Sequence, residues 1–312
     1  MKTEKQDCYE IITDRIIGLL EQGVVPWQKP WKSCGGMPYN LVSKKPYRGM
    51  NVWLLHSLNY EQPAFLTYKQ AQELGGNVKR GEKACPIVFW RTFDKVDSKG
   101  DKQTIPMMRF YYVFNVAQCE NIPADKLPAL EGPDKLPVAF NVADAENIVT
   151  GFKNAPAVKH GMERTCYHPG GDWVDMPDNS RFKSIGHYYA ILFHELAHST
   201  GHVSRLNRKG NTGSEGAWGS FGSAAYAREE LCAEMASAFL CGVAGIADTG
   251  GLLENAAAYV ANWLTALRND KKLVVQAAGL AQRASDYILN VVHEKQSETQ
   301  TAPVEATETV NA

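Results

Sequence analysis

His194-Glu195-Leu196-Ala197-His198 decides how the rest of the chain is read. Two histidines four apart on a helix share one face about a turn apart, so both imidazoles reach one metal ion. The glutamate beside the first can hold a water at that ion and take its proton. Upstream, Tyr188-Tyr189-Ala190-Ile191-Leu192-Phe193 is apolar and free of Gly and Pro, which places the motif inside a helix. Gly201, three residues past His198, gives that helix a stop. The competing reading, two solvated histidines on a surface helix, does not explain so apolar an approach.

Two histidines need a third protein ligand. A longer metalloprotease pattern would place another histidine six residues after the second, but Ser204 stands there. His202 falls beyond Gly201 and is a weak candidate. A better source is Tyr226-Ala227-Arg228-Glu229-Glu230-Leu231-Cys232-Ala233-Glu234, which reads as a second helix, acidic at its start and small or apolar afterwards. Glu230 and Glu234 share a face, fitting one ligand and one carboxylate that orients a ligating histidine from behind. Glu229 points about 100° away, above Cys232, Ala233 and Ala236, a small-residue stripe suited to close helix packing. The order of preference is Glu230, then Glu229, then His202.

The 312 residues allow two domains, each with a core of its own. A net charge of −1 and a hydrophobic fraction of 44% are ordinary for a soluble globular protein in the cytoplasm. No run of about 18 apolar residues is present to span a membrane. The seven cysteines (Cys8, Cys34, Cys85, Cys119, Cys166, Cys232 and Cys241) are scattered and never spaced C-x-x-C. That suits reduced thiols and argues against a second, cysteine-built metal site.

Charge is unevenly placed. Residues 1–120 carry 17 Lys and Arg against 12 Asp and Glu, so the remainder is acidic. Between Glu21 and Glu61 no acid occurs, whereas Lys29, Lys32, Lys44, Lys45 and Arg48 alternate with Trp27, Trp31, Tyr39, Tyr47, Trp53 and Tyr60. Cations neutralise phosphates and flat rings stack on unpaired bases, so the mixture suits single-stranded nucleic acid better than duplex. The same rings near Pro26, Pro30, Pro38 and Pro46 also suit a small core.

Periodicity predicts helices near 6–22, 50–59 and 67–74, then strands near 85–94 and 107–116 divided by the turn Asp97-Ser98-Lys99-Gly100-Asp101. Pro123, Pro128, Pro133 and Pro137 mark residues 123–139 as a linker between a first domain, 1–122, and a second, 140–293. The second opens with a helix near 141–154 and extended segments near 157–160, 165–168 and 172–176. After the motif helix comes a Gly/Ser/Asn-rich loop near 207–223, then helices near 224–243, 252–268 and 272–291. Residues 294–312 have little to bury and are expected to be disordered. The fold class is α+β, with the second domain mainly helical.

The chain resembles the ArdC antirestriction proteins of conjugative plasmids. The resemblance runs through both halves: Pro26-Trp27, Lys29-Pro30-Trp31, Tyr47-Arg48-Gly49, Thr67-Tyr68, Leu74-Gly75-Gly76 and Gly81-Glu82 in the first, then His194-Glu195-Leu196-Ala197-His198, Thr200-Gly201-His202, Ser204-Arg205-Leu206, Phe221-Gly222-Ser223 and Glu229-Glu230-Leu231 in the second. It implies an N-terminal single-stranded-DNA-binding domain, shared with plasmid primases of the TraC type, and a C-terminal zincin-like metallopeptidase domain. It further implies protection of incoming conjugative DNA from host restriction.

With the resemblance added, His194, His198 and Glu230 (alternate Glu229) are expected to hold Zn²⁺, with Mn²⁺ as another choice. Glu195 is the expected base and Glu234 the orienting carboxylate. Tyr226, or one of Tyr188 and Tyr189, would stabilise an oxyanion. The segment Asp172-Trp173-Val174-Asp175-Met176-Pro177 would pair with a bound peptide as an added strand. Trp27, Trp31, Tyr47 and Trp53 would stack on bases, while Lys29, Lys32, Lys44, Lys45 and Arg48 meet phosphates. Three roles follow: a protease tethered to DNA, a DNA-coating protein with an idle or structural metal site, and a general peptidase whose basic half is scaffolding.

Overall fold

Helix α1 (Cys8–Glu21) begins where the Glu10 carboxylate accepts the Asp7 backbone N–H at 3.2 Å. It ends at Gly23, whose φ of 75° turns the chain back so that the Val24 N–H reaches the Leu19 carbonyl at 2.9 Å. Its stripe Ile12, Ile16 and Leu20 is fully buried. These coordinates are a computed structural model that describes residues 7–28, 36–96, 102–128, 140–208, 223–247 and 256–292. The expected disordered tail therefore lies outside the described residues, as do most of the expected linker and of the Gly/Ser/Asn-rich loop.

A four-stranded sheet follows, in the order β1 (Tyr39–Asn40), β2 (Ala64–Leu66), β5 (Lys102–Asn115), β4 (Cys85–Val96). The β4–β5 ribbon pairs continuously from Cys85↔Val113 to Val96↔Lys102. Short helices α2 (Met50–His56) and α3 (Tyr68–Glu73) join these strands, and β3 (Asn77–Val78) pairs with β6 (Cys119–Glu120). In the second half, α4 (Val142–Gly151) precedes a three-stranded sheet in the order β7 (Ala157–Lys159), β9 (Trp173–Asp175), β8 (Cys166–His168). Four helices complete the fold: α5 (Ile185–Ser199), α6 (Ala224–Val243), α7 (Ala256–Asn269) and α8 (Leu273–Ile288).

Ser184 and Ser223 cap α5 and α6, accepting the N–H groups of His187 and Tyr226 at 3.1 and 3.2 Å. The two helices then pack closely. Cys232, Ala233 and Ala236 are completely buried, and Ser237 Oγ donates to the Ala190 carbonyl at 2.6 Å. Small side chains on α6 let the backbones approach, which brings the carboxylates of its first turns over the motif histidines of α5.

Each half has a small core of its own, around Leu66 and Val116 in the first and around Val174, Phe193 and Leu240 in the second. The largest core belongs to both. Ile16, Trp27 and Trp53 lie in one cluster with Leu231, Met235, Trp263 and Ala281. The Trp27 ring meets Trp263 edge-on at 5.4 Å, and Trp53 lies 4.6 Å from Phe239. Hydrogen bonds and ion pairs cross the same boundary: Gly49 N–H to Gln282 Oε1 at 2.9 Å, Arg268 to Glu21 at 2.7 Å, Lys271 to Asp14 at 2.6 Å, and Arg48 to Asp286. The residue 123–139 boundary thus divides the sequence without dividing this core, because the apolar faces of α1 and α2 are covered by α6, α7 and α8.

The shared core has a measurable consequence. Trp53→Ala should lower stability by about 3–5 kcal/mol and move the unfolding of both halves together in denaturant titrations followed by hydrogen exchange. Loss of protection confined to residues before 123 would contradict a shared core.

Candidate metal centre

α5 and α6 bring a cluster of ionisable groups to one place. The Nε2 atoms of His194 and His198 lie 3.0 Å apart, and each is 3.6 Å from an oxygen of Glu230. One donor atom from each of the three residues falls within 4.8 Å of the others, the one such cluster among the described residues. Two imidazole nitrogens facing each other beside a carboxylate repel one another unless a proton or cation lies between them, so the donor set fits a divalent metal.

The outer nitrogens are also assigned. His198 Nδ1 lies 3.3 Å from Glu229 Oε1, and His194 Nδ1 lies 3.5 Å from Glu234 Oε1. A carboxylate at Nδ1 keeps the proton there and leaves the Nε2 lone pair for a metal. Glu234 faces His194 Nδ1 at ion-pair distance but is not hydrogen-bonded to it. Glu229, the alternate, lies outside this donor cluster: the 100° offset from Glu230 carries it to the Nδ1 side of the His198 ring. His202 is corrected as well, since its Nδ1 bonds Ser204 Oγ at 2.8 Å in the turn after α5, outside the cluster.

Glu195 is buried, and its Oε2 accepts the Tyr167 backbone N–H of β8 at 2.7 Å. That bond fixes the carboxylate beside the ligands. β8 is an edge strand of its sheet and β9 is the central one, paired with β7 on one side and β8 on the other. The segment 172–177 is thus not free to add a peptide strand, because its strand residues already have neighbours on both edges.

Tyr226, in the first turn of α6, hydrogen-bonds both Glu230 and Tyr259 of α7; burial, then the Glu230 charge, raise its pKa. Tyr188 and Tyr189 are committed elsewhere, to His160 Nε2 at 2.8 Å and to Glu146. Of the three tyrosines proposed for an oxyanion, only Tyr226 stands at the centre.

Arg208 is the residue the sequence did not single out. Only 7% exposed, it donates to the Ala197 and His198 carbonyls at 3.0 and 3.3 Å, to Thr200 Oγ1, and through a two-pronged contact to Glu229. Its one sequence signal was position: a cation shortly after a helix end satisfies the last carbonyls and the negative end of the helix dipole.

The expected DNA contacts fare unevenly. Lys29, Trp31 and Lys32 lie outside the described residues. Trp27 and Trp53 are 2% and 1% exposed and Tyr47 8%, so these rings are core rather than stacking platforms. The physical reason is packing: Trp27 and Trp53 fill the seam against α7 and α6, and Tyr47 packs edge-on against Phe65. Arg48 pairs with Asp286. Lys44 and Lys45 are exposed on a tight loop held by the Asn40 side chain, which accepts the Ser43 N–H at 2.9 Å.

With the geometry described, comparison with known proteins is informative. Residues 6–114 match the family described as the N-terminal domain of anti-restriction factor ArdC, and residues 143–280 match a zincin-like metallopeptidase family. The crystal structure of the antirestriction ArdC protein from plasmid R388, metal-free, is 34% identical, with a TM-score of 0.72 over 91% of this chain and 97% of that one. The chain belongs to the ArdC antirestriction family. The Mn(II)-bound R388 structure is 33% identical, with a TM-score of 0.71. An uncharacterised protein of Sinorhizobium fredii, y4eC, is 34% identical over 94% of each chain. A DNA primase TraC of Escherichia coli is 35% identical over 96% of this chain, which spans 29% of that primase's length. This ArdC-family chain thus has an α+β fold with a zincin-like domain and a donor set for a divalent metal. Among its described residues no helix is long and apolar enough to cross a membrane.

The charges around the donors set a pH dependence. Burial alone would lower the His194 pKa, but Glu230, Glu234 and Glu195 outweigh it and raise the ring to about 9. Below that pH the metal-free ring is protonated, and a metal must displace the proton. Divalent-metal affinity measured by calorimetry should therefore weaken by about tenfold for each pH unit below about 9. Affinity independent of pH between 6 and 8 would contradict this protonation.

Proposed function

We propose that this chain is a Zn²⁺-dependent peptidase joined to a single-stranded-DNA-binding half, acting in the cytoplasm to protect incoming conjugative DNA from restriction. The observation that carries the reading is the convergence of His194, His198 and Glu230 beside a Glu195 already held by Tyr167. The Mn(II) of the R388 ArdC structure supports a divalent ion. The ArdC and TraC relatives support an encounter with DNA.

His194, His198 and Glu230 would hold the ion, which when bound would polarise a peptide carbonyl and acidify water. Glu195 would be the base for that water. Its Oε2 is occupied by the Tyr167 N–H, so proton transfer falls to Oε1. The Tyr226 hydroxyl, hydrogen-bonded to Glu230, would turn from it to meet a developing oxyanion. On the DNA side, Lys44 and Lys45 are exposed and would meet phosphates.

Depth of burial favours a second reading. His198, Glu230 and Glu234 are all less than 9% exposed, as in a structural metal site, and DNA coating alone would then protect. Glu195→Gln separates the two: it should keep metal while lowering proteolysis by about 10²–10⁴-fold and abolishing protection from restriction in a transfer assay. Full protection by this variant would overturn the protease role. Replacing Lys44 and Lys45 together by Ala should weaken binding to an oligonucleotide and flatten the log-affinity against log-salt slope by about 1.4, roughly 0.7 per lost phosphate contact on a single strand. An unchanged slope would remove this loop from the DNA surface.

A further inference from the structure

The turn that leaves the metal-ligand helix brings two arginines back onto it. Arg205 donates to the Ser199 carbonyl at 3.0 Å and grips Asp172, between β8 and β9, through two bonds of 2.8 Å. Arg208 does the equivalent on the other side. It holds the Ala197 and His198 carbonyls and makes its two-pronged contact with Glu229 on α6. The Glu229 Oε1 that meets Arg208 Nη2 is also the oxygen 3.3 Å from His198 Nδ1.

Glu229 and Glu230 are neighbours in sequence, equal in charge and reach, and both lie against His198. Helical offset sends Glu229 to the Nδ1 side of His198 and Glu230 to the Nε2 side, and a guanidinium holds the first of them in place. Its planar fork engages both oxygens of Glu229 in a fixed direction, which a point charge on a flexible stem cannot do.

We infer that Arg208 is a positioning residue for the metal centre, reserving Glu229 for His198 Nδ1 and so leaving Glu230 as the third protein ligand. The inference rests on the reading that this centre binds a divalent cation. Without the fork, Glu229 is a buried carboxylate that has lost its counter-charge beside a bound cation. It then turns to that cation, adding a ligand and releasing the His198 ring.

Co²⁺ is the probe, because its visible absorption reports coordination number while its affinity is measured independently of any peptidase activity. Arg208→Met should lower Co²⁺ affinity about 10–100-fold and weaken the absorption band as coordination number rises. Arg208→Lys should recover part of the affinity without restoring the band. Arg208→Met combined with Glu229→Gln should restore the wild-type band, since the competing carboxylate is gone. An Arg208→Met protein that folds and keeps the wild-type band and affinity overturns the assignment. If that variant does not fold, the comparison of single glutamate variants decides. Glu229→Gln should keep the wild-type band with affinity lowered no more than about 100-fold, whereas Glu230→Gln should lose binding. Equal loss in both overturns the role given to Arg208. Wild-type protein that binds no Co²⁺ overturns the metal reading itself.

Discussion

Three carboxylates on two turns of α6, Glu229, Glu230 and Glu234, are buried against two imidazoles of α5, and the second half of the molecule is arranged around that collision of charge. Removing a carboxylate from water costs several kcal/mol unless it is paired and hydrogen-bonded. Each is paired differently: Glu229 with Arg208 and His198, Glu230 with both histidines and Tyr226, Glu234 with His194. The consequences differ accordingly. Arg208 and His198 hold Glu229 below the usual carboxylate range despite burial, whereas burial pushes Glu234 up to about 7, with His194 pulling the other way. A cation among the Nε2 atoms and Glu230 would complete this balance of charge.

Such a cluster forms only if α5 and α6 lie close together, and packing supplies that. Small residues on α6 allow the approach, while Leu231, Met235 and Phe239 fill the space behind it with side chains from α1, α2 and α8. The half of the chain read as DNA-binding thereby buttresses the half that carries the metal donors. A change in the Trp27 turn or in α2 acts on the same helix that presents Glu230. The two proposed functions of this ArdC-family protein therefore have a common mechanical support.

Local patterns were highly legible. The motif helix, the second helix and the strands of the long ribbon fall within a few residues of where periodicity and caps place them, because each carries a strong local signal. The convergence of His194, His198 and Glu230 was readable, since helical spacing puts the two histidines on one face of α5 and Glu230 in the first turns of α6. Properties set by tertiary packing were not. Trp27 and Trp53 looked like stacking rings because composition does not say which surface a ring covers, and here α6 and α7 cover both. Glu229 looked like an alternate ligand because Arg208, 21 residues earlier, is invisible to helical periodicity. The strand at 173–175 looked like a free edge because its two partners are set by sheet order.

X-ray absorption at the metal edge of the zinc-loaded protein tests the central claim most directly. One ion per chain is expected, bound by two imidazoles and one carboxylate, with metal–nitrogen distances of about 2.0–2.1 Å. A spectrum showing fewer than two imidazoles, or thiolate sulfur in the first coordination sphere, would contradict it.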